Sequence, residues 1–340
     1  MSWTVAVGVD THKDSHTASA FDCRGVALAR IQIGADRDGY ASLLAWAAAL
    51  GEPAFAIEGT ASYGAGLVAA LVETPYLVYE VERPDRRERR NGKSDPLDAD
   101  RAAKKLLAGE GLSVPRGGGK RELLRVLLVE RAGARKALSD AGNQLHALRV
   151  TAPESLRERL TGSNASQLAR CCLGLRVRVC DLEYATTIAA LRRTAARMGH
   201  LADELDQIDD EITALVGELA PELLEEKGVG PVTAAQLLVS IGDPRRLRNG
   251  EASLAKLAGT CPLPASSGQT VRHRLNRGGD RQLNRALHTI ALSRRATDRP
   301  TRAYIDRRIR EGNSTREINR CLKRYLAPRL YRLLQRSATP

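Results

Sequence analysis

Three short β-rich runs stand in direct succession at the start of the chain, before any helical pattern: Val5–Asp10, His16–Asp22 and Val26–Ile33. Helix and strand then alternate. Asp36–Leu50 has helical composition around Leu43, Leu44 and Trp46, Ala54–Glu58 reads as a buried strand, Tyr63–Val72 as a helix and Tyr76–Val81 as another strand. Three strands followed by helix–strand alternation predict a mixed sheet covered by helices. A helix from Asp95 through Leu107 closes this unit, and Arg116-Gly117-Gly118-Gly119-Lys120 reads as a linker.

Beyond the linker the patterns are almost only helical. Leu201, Leu205, Ile208, Ile212, Leu215 and Leu219 follow the a/d rhythm of a coiled coil, flanked by Asp203, Glu204, Asp206, Asp209, Asp210 and Glu211. One amphipathic helix packed on its own domain would show the same spacing. Gly228-Val229-Gly230-Pro231 opens a last unit with a short helix to about Ile241 and a Pro/Ser/Gly-rich loop over Pro262–Gly268. Asp280 caps a helix whose Leu283, Leu287 and Ile290 form one stripe, with Arg281, Arg285 and His288 on another face. Helices near Thr315–Leu326 and Pro328–Leu334 follow. The organisation expected is 1–112 as an α/β domain, 113–120 as linker, 121–227 as a helical region and 228–340 as a mostly α domain.

Composition decides the partner class. No stretch approaches the ~20 apolar residues of a membrane span, and the N-terminus lacks a signal peptide's basic start and long apolar core. Six cysteines without a CxxC pair fit a reducing, cytoplasmic setting. The net charge of +13 is concentrated: from Gln269 to Pro340 there are 19 basic and five acidic residues, so the preceding residues together carry −1. A surplus gathered in one segment points to a polyanion.

Four carboxylates could carry chemistry. Asp10 and Glu58 end strands, and Asp95 and Asp98 sit three apart at the start of the closing helix, where both can point the same way. Such groups can converge on a hard cation, with Mg²⁺ (or Mn²⁺) taking oxygen ligands and assisting phosphodiester chemistry. As helix chemistry alone, Asp95-Pro96-Leu97-Asp98 is equally an N-cap, a proline at the first position and a dipole-favoured acid. Arg86, Arg87, Arg90 and Lys93, directly before this pair, read as phosphate contacts or as a solvated face shared with Glu82, Asp85 and Glu88. Gly228 and Gly230 resemble the turn of a helix-hairpin-helix, whose amides can meet a phosphate, or a plain connection. Ser266-Ser267-Gly268 is a turn that precedes Arg272, Arg274 and Arg277. With aromatic residues at 4%, base stacking is not the expected binding mode.

In this order, these pieces resemble the insertion-sequence 110 family of transposases, which includes the Piv-type DNA invertases. The matching stretches are Gly8-Val9-Asp10-Thr11-His12-Lys13, Ile57-Glu58-Gly59-Thr60, Lys93-Ser94-Asp95-Pro96-Leu97-Asp98-Ala99, Gly228-Val229-Gly230-Pro231-Val232-Thr233-Ala234, Ser267-Gly268 and Arg277-Gly278-Gly279-Asp280-Arg281-Gln282-Leu283. The resemblance implies a RuvC-like, RNase H-fold N-terminal domain, a helical coiled-coil region and a second transposase domain. It implies that Asp10, Glu58, Asp95 and Asp98 hold the metal, and that Ser267, with Ser266 its nearest rival, attacks the DNA phosphate and links to it covalently. Strand exchange and religation would follow. Further implied are sites shared between subunits of a homodimer or homotetramer, and a structured noncoding RNA that pairs with donor and target DNA, in a bacterial cytoplasm at the nucleoid. The chain departs from the family pattern at Gly259-Thr260-Cys261-Pro262, at Asn284 and at Gly278. Two other readings remain open: a RuvC-like nuclease in which water attacks, and a nucleic-acid-binding protein whose carboxylates only cap helices.

Overall fold

The computed structural model describes residues 3–60, 62–81, 95–115, 119–176, 181–244, 247, 249–264, 273, 274, 276 and 278–337. They gather into two compact units, one holding the chain up to Arg121 with Ile241–Leu257, the other Glu122–Ser240 with Ala258–Ser337.

In the first unit β1 (Val5–Thr11), β2 (Ser15–Asp22) and β3 (Ala27–Gly34) are joined by short turns and therefore pair antiparallel. Helix α1 (Arg37–Leu50) carries the chain across the sheet to β4 (Pro53–Glu58), parallel to β1. Helix α2 (Ala65–Val72) then leads to β5 (Leu77–Val81), parallel to β4. After α3 (Asp95–Ala108), β6 (Leu112–Ser113) adds a short antiparallel edge, giving the order β3-β2-β1-β4-β5-β6. This is the mixed, helix-covered sheet expected. Only β6 is new, and two residues are too few to leave a period in the sequence.

Alternation along the strands separates two cores. Val5, Val7 and Val9 join Phe55 and Ile57 under Leu43 of α1 and Leu67 and Leu71 of α2. Ala6, Ala54 and Ala56 face the other way and meet Ala102 and Leu106 of α3. Gly8 shares that second face. A Cβ there would lie 2.1 Å from the Ala99 carbonyl oxygen and 2.3 Å from the Ala103 nitrogen, so the helix backbone rests directly on β1. Arg30 of β3 locks the helix from its side, donating from Nε and Nη2 to buried Asp100 at 3.3 and 2.6 Å.

Among the described residues the second unit is helical apart from one hairpin. α4 (Lys120–Thr151), α5 (Glu154–Arg157), α6 (Ala165–Leu173) and α7 (Leu182–Leu219) come first. Arg131 donates to Asp209 at 2.5 and 3.0 Å and Arg197 to Gln144 at 2.5 Å, so α4 and α7 run antiparallel. Leu145, Leu156, Leu160, Leu168, Cys172, Ile188 and Leu191 form the core at one end of the pair. Cys172 sits there as a small hydrophobe, its thiol pushed up to about 11 by burial. Further along α7 the buried residues are Leu205, Ile208, Ile212 and Val216, while Leu201, Leu215 and Leu219 are half-buried. The seam steps 3, 4, 4 and follows the 3.6-residue turn of a helix packed in its own unit, where the heptad spacing expects Leu215.

Next come α8 (Pro221–Glu225) and α9 (Pro231–Ile241); then, after α10 (Gly250–Leu257), which belongs to the first unit, the hairpin β7 (Leu263–Pro264) with β8 (His273–Arg274), α11 (Arg281–Thr297), α12 (Arg299–Arg310) and α13 (Thr315–Ser337). Asp280 caps α11 as expected, accepting from the amides of Gln282 and Leu283 at 2.8 and 3.0 Å. Helix α12, whose only buried residues are Thr301 and Ile305, carries too little apolar periodicity to be read from sequence. The two helices expected at the C-terminal end are one, with Pro328 inside α13. Proline there costs about 3 kcal/mol. Leu326, Ala327, Leu330, Tyr331 and Leu334, buried on both sides of it, offset that cost.

Candidate active site

Asp10 is the next-to-last residue of β1, on the face that Ala6 and Gly8 turn to α3. Glu58 ends β4 with the parity of Ala54 and Ala56, hence on the same face, one strand over. The Thr11 hydroxyl donates to the Glu58 carbonyl at 2.8 Å and ties the two strand ends together. The contact of α3 with Gly8 brings the first turn of that helix over the same end of the sheet.

The result is a cluster. His12 Nε2 lies 3.2 Å from Asp10 Oδ2 and 3.2 Å from Asp95 Oδ1, and one ligand atom from each of the three residues lies within 4.8 Å of the others. Asp10 is 9% exposed, whereas His12 and Asp95 open to solvent, so the group has a buried root and an accessible mouth. Burial raises the Asp10 carboxyl above the usual carboxylate range. His12 counters this, and the negative charges of Asp98 and Asp95 add to the rise. A buried carboxylate crowded by two others and facing an imidazole is a site that a divalent cation would relieve, and the donor set suits one. Asp98 itself accepts from Arg101, one turn further along α3. Of the four carboxylates singled out from sequence, the structure thus places Asp10 and Asp95 in the cluster, Asp98 beside it and Glu58 on the neighbouring strand end. His12 was not singled out. The signal lay in its position, two residues beyond Asp10 where the strand ends.

Buried beneath this region is His16, paired across the ladder with Thr11. It is 0% exposed, stacks flat on Tyr40 with ring centroids 5.9 Å apart, and neither ring nitrogen has a hydrogen-bond partner among the described residues. Burial holds its pKa below the ordinary histidine value.

In the second unit Arg281 and Arg285 are exposed on one face of α11. Gly228 has a φ of +84°, and a Cβ there would meet Arg294 Cγ at 2.7 Å, so its glycine character serves packing against α11. The Gly230 amide donates to Thr233 Oγ1 at 3.0 Å at the start of α9. Asn284, a departure from the family pattern, is structural. It donates to the Ala258 carbonyl at 2.6 Å and accepts from buried Lys323 at 2.8 Å. Gly278 lies where its carbonyl would stand 2.5 Å from a Cβ on Gly259, which closes the base of the β7–β8 hairpin. Arg274 belongs to β8 by its backbone. Its side chain, like Ser266, Ser267, Arg272, Arg277, Arg86, Arg87, Arg90 and Lys93, lies outside the described residues.

Comparison with known proteins finds matches in both the N-terminal and the C-terminal part of the chain. The family model of DEDD transposases of the IS110 type, described as "Transposase", matches residues 7–150, which include all four carboxylates. A second, described as "Transposase IS116/IS110/IS902 family", matches residues 220–306. The chain belongs to the IS110 family of transposases. Its mixed six-stranded sheet fits the RNase H-like DEDD domain of that family. An uncharacterized 43.6 kDa protein of insertion element IS110 from Streptomyces coelicolor is 37% identical over 110 residues, 32% of this chain and 27% of that protein's length. The chain thus matches about a quarter of that relative. Among the described residues no helix is long and apolar enough to cross a membrane.

Proposed function

We propose that this protein is a DNA transposase and site-specific recombinase that cuts and rejoins element ends and target DNA. The observation that carries the reading is the convergence of Asp10, His12 and Asp95 at the end of β1, in a chain of this family. Asp10, Asp95 and His12 would hold a divalent ion, with Glu58 and Asp98 completing its surroundings. When bound, such an ion polarises a phosphodiester and stabilises a leaving oxygen. With an imidazole among the donors, Mn²⁺ is favoured over the Mg²⁺ that carboxylates alone would suit.

The nucleophile in this reading is the Ser267 hydroxyl, as the family resemblance implies. Its Oγ forms a bond to phosphorus, an ester bond from phosphorus to a sugar oxygen breaks, and the proton lost by the serine is balanced by one taken up at the released oxygen. Arg272, Arg274, Arg277, Arg281 and Arg285 neutralise the phosphates, as do Arg86, Arg87, Arg90 and Lys93 ahead of α3. The partners are DNA, a structured noncoding RNA and further copies of the chain, as a homodimer or homotetramer, in the bacterial cytoplasm.

The test is an adduct-trapping assay with junction DNA of the element, its adjacent RNA and either metal. A denaturation-resistant protein–DNA adduct that disappears in Ser267→Ala and in Asp10→Asn is the expected result. Cleavage without an adduct, unchanged in Ser267→Ala, would overturn the serine step in favour of attack by water. Nucleic-acid binding with no cleavage in either metal would overturn the enzyme.

A further inference from the structure

Helices α11, α12 and α13 enclose a cleft of about 220 Å³. That is below the ~300–1,000 Å³ of pockets for drug-sized ligands, and suits one small planar group. Its floor is apolar, from buried Ala291, Leu322 and Leu326, and its walls are Arg294, Tyr325 and Arg329. Tyr325 stands out on this surface, a large ring 66% exposed in the most arginine-rich part of the chain.

The ring is held in place. Tyr304 of α12 meets it edge-on, with centroids 5.8 Å apart and planes at 87°, and the Arg307 guanidinium lies 5.4 Å over the Tyr304 ring. The arginines are held too. Buried Glu226 accepts from Arg294 Nη1 at 2.9 Å and from Arg329 Nε at 2.8 Å, which orients both guanidiniums while Arg329 remains 59% exposed. A tyrosine braced in one orientation next to a pinned, solvent-facing arginine offers a π-face and a phosphate fork one helical turn apart on α13.

We propose that this cleft binds a single unpaired nucleotide, its base stacked on Tyr325 over the Leu322–Leu326 floor and its phosphate on Arg329. The assignment rests on the reading that the protein works on nucleic acid, but not on its cleavage chemistry. It runs against the expectation drawn from the low aromatic content, because one well-placed ring is enough for one base. Stacking on an aromatic is largely independent of sequence, so an RNA loop and a displaced DNA strand share the chemistry.

The test uses the full chain and oligonucleotides carrying 2-aminopurine, as single-stranded DNA, single-stranded RNA and duplex DNA. Stacking on Tyr325 quenches the probe, and Tyr325→Ala is expected to remove the quench and weaken single-strand binding about tenfold. Tyr325→Phe should keep both, and duplex affinity should not change in either variant. The single-stranded arm with the larger loss identifies the strand that occupies the cleft. Equal loss on duplex and single strand, or unchanged quenching in Tyr325→Ala, would overturn the proposal, as would a Tyr325→Phe variant that behaves like Tyr325→Ala. Asp10→Asn is expected to bind and quench as the parent does. Failure of the cleavage reading and failure of the stacking site are thereby told apart.

Discussion

At the scale of single residues, two histidines four positions apart in the chain do opposite work. His12 faces solvent between Asp10 and Asp95, where its nitrogen is 3.2 Å from a carboxylate oxygen on each side. His12→Asn should weaken Mn²⁺ binding about tenfold or more and narrow the preference for Mn²⁺ over Mg²⁺, as titration calorimetry with each ion would read. Equal affinities for Mn²⁺ in parent and variant would remove His12 from the ligand set. His16 is buried on the other side of the strand layer without a hydrogen-bond partner among the described residues, and its folded-state pKa is depressed. Below the unfolded value of about 6.5 the unfolded chain takes up a proton that the folded one refuses. Stability present above that pH is therefore lost as pH falls, at up to about 1.4 kcal/mol per pH unit. Urea unfolding between pH 7.5 and 5 should show this loss, and His16→Phe, which keeps a ring against Tyr40, should flatten it. The same slope in both proteins would assign the acid sensitivity elsewhere.

At the scale of elements, the site depends on how closely α3 lies on β1. Gly8 allows the helix backbone to touch the strand, and Ala99, Ala102 and Ala103 are the small buried residues that meet it. Gly8→Val would drive a side chain into the Ala99 carbonyl and should cost about 3 kcal/mol or more, with Gly8→Ala losing less in the same direction. Because α3 carries Asp95, metal affinity should fall together with the unfolding midpoint. A midpoint that drops while metal binding holds would show that the helix is positioned by Arg30–Asp100 and not by this contact. The first five strands and first three helices were legible to within a residue or two, since each had its own period or cap, as Asp36 does by accepting from the Gly39 amide at the start of α1. Helix α12 was not, and α13 was read as two, because burial by neighbouring helices overrode the proline.

At the scale of the whole molecule, the proposed nucleic-acid binding should follow charge rather than shape. The last 72 residues carry a net of +14, and Arg281 and Arg285 display part of it on an exposed face. Removing one phosphate-contacting arginine, as Arg281→Ala or Arg285→Ala, should reduce the slope of log affinity against log salt for duplex DNA by about 0.9. The affinity loss should be similar for unrelated sequences, as phosphate contacts carry no base information. Gel-shift titrations across a range of salt would read both, and an unchanged slope in both variants would move the binding surface away from α11.

From the sequence alone followed the mixed sheet, the helical remainder, the concentration of charge and the acidic residues at strand and helix ends, because all of these are local patterns with a period or a position. Packing decided the rest. That Asp10 keeps company with His12 and Asp95, while Asp98 turns to Arg101, follows from the contact at Gly8 and the rotation of α3 about it, between residues some 85 positions apart in the chain. The leucine rhythm of α7 illustrates the same limit from the other side. Heptad spacing and the 3.6-residue turn differ by about 20° per repeat, too little to separate over so short a stretch until burial shows which residues face inward.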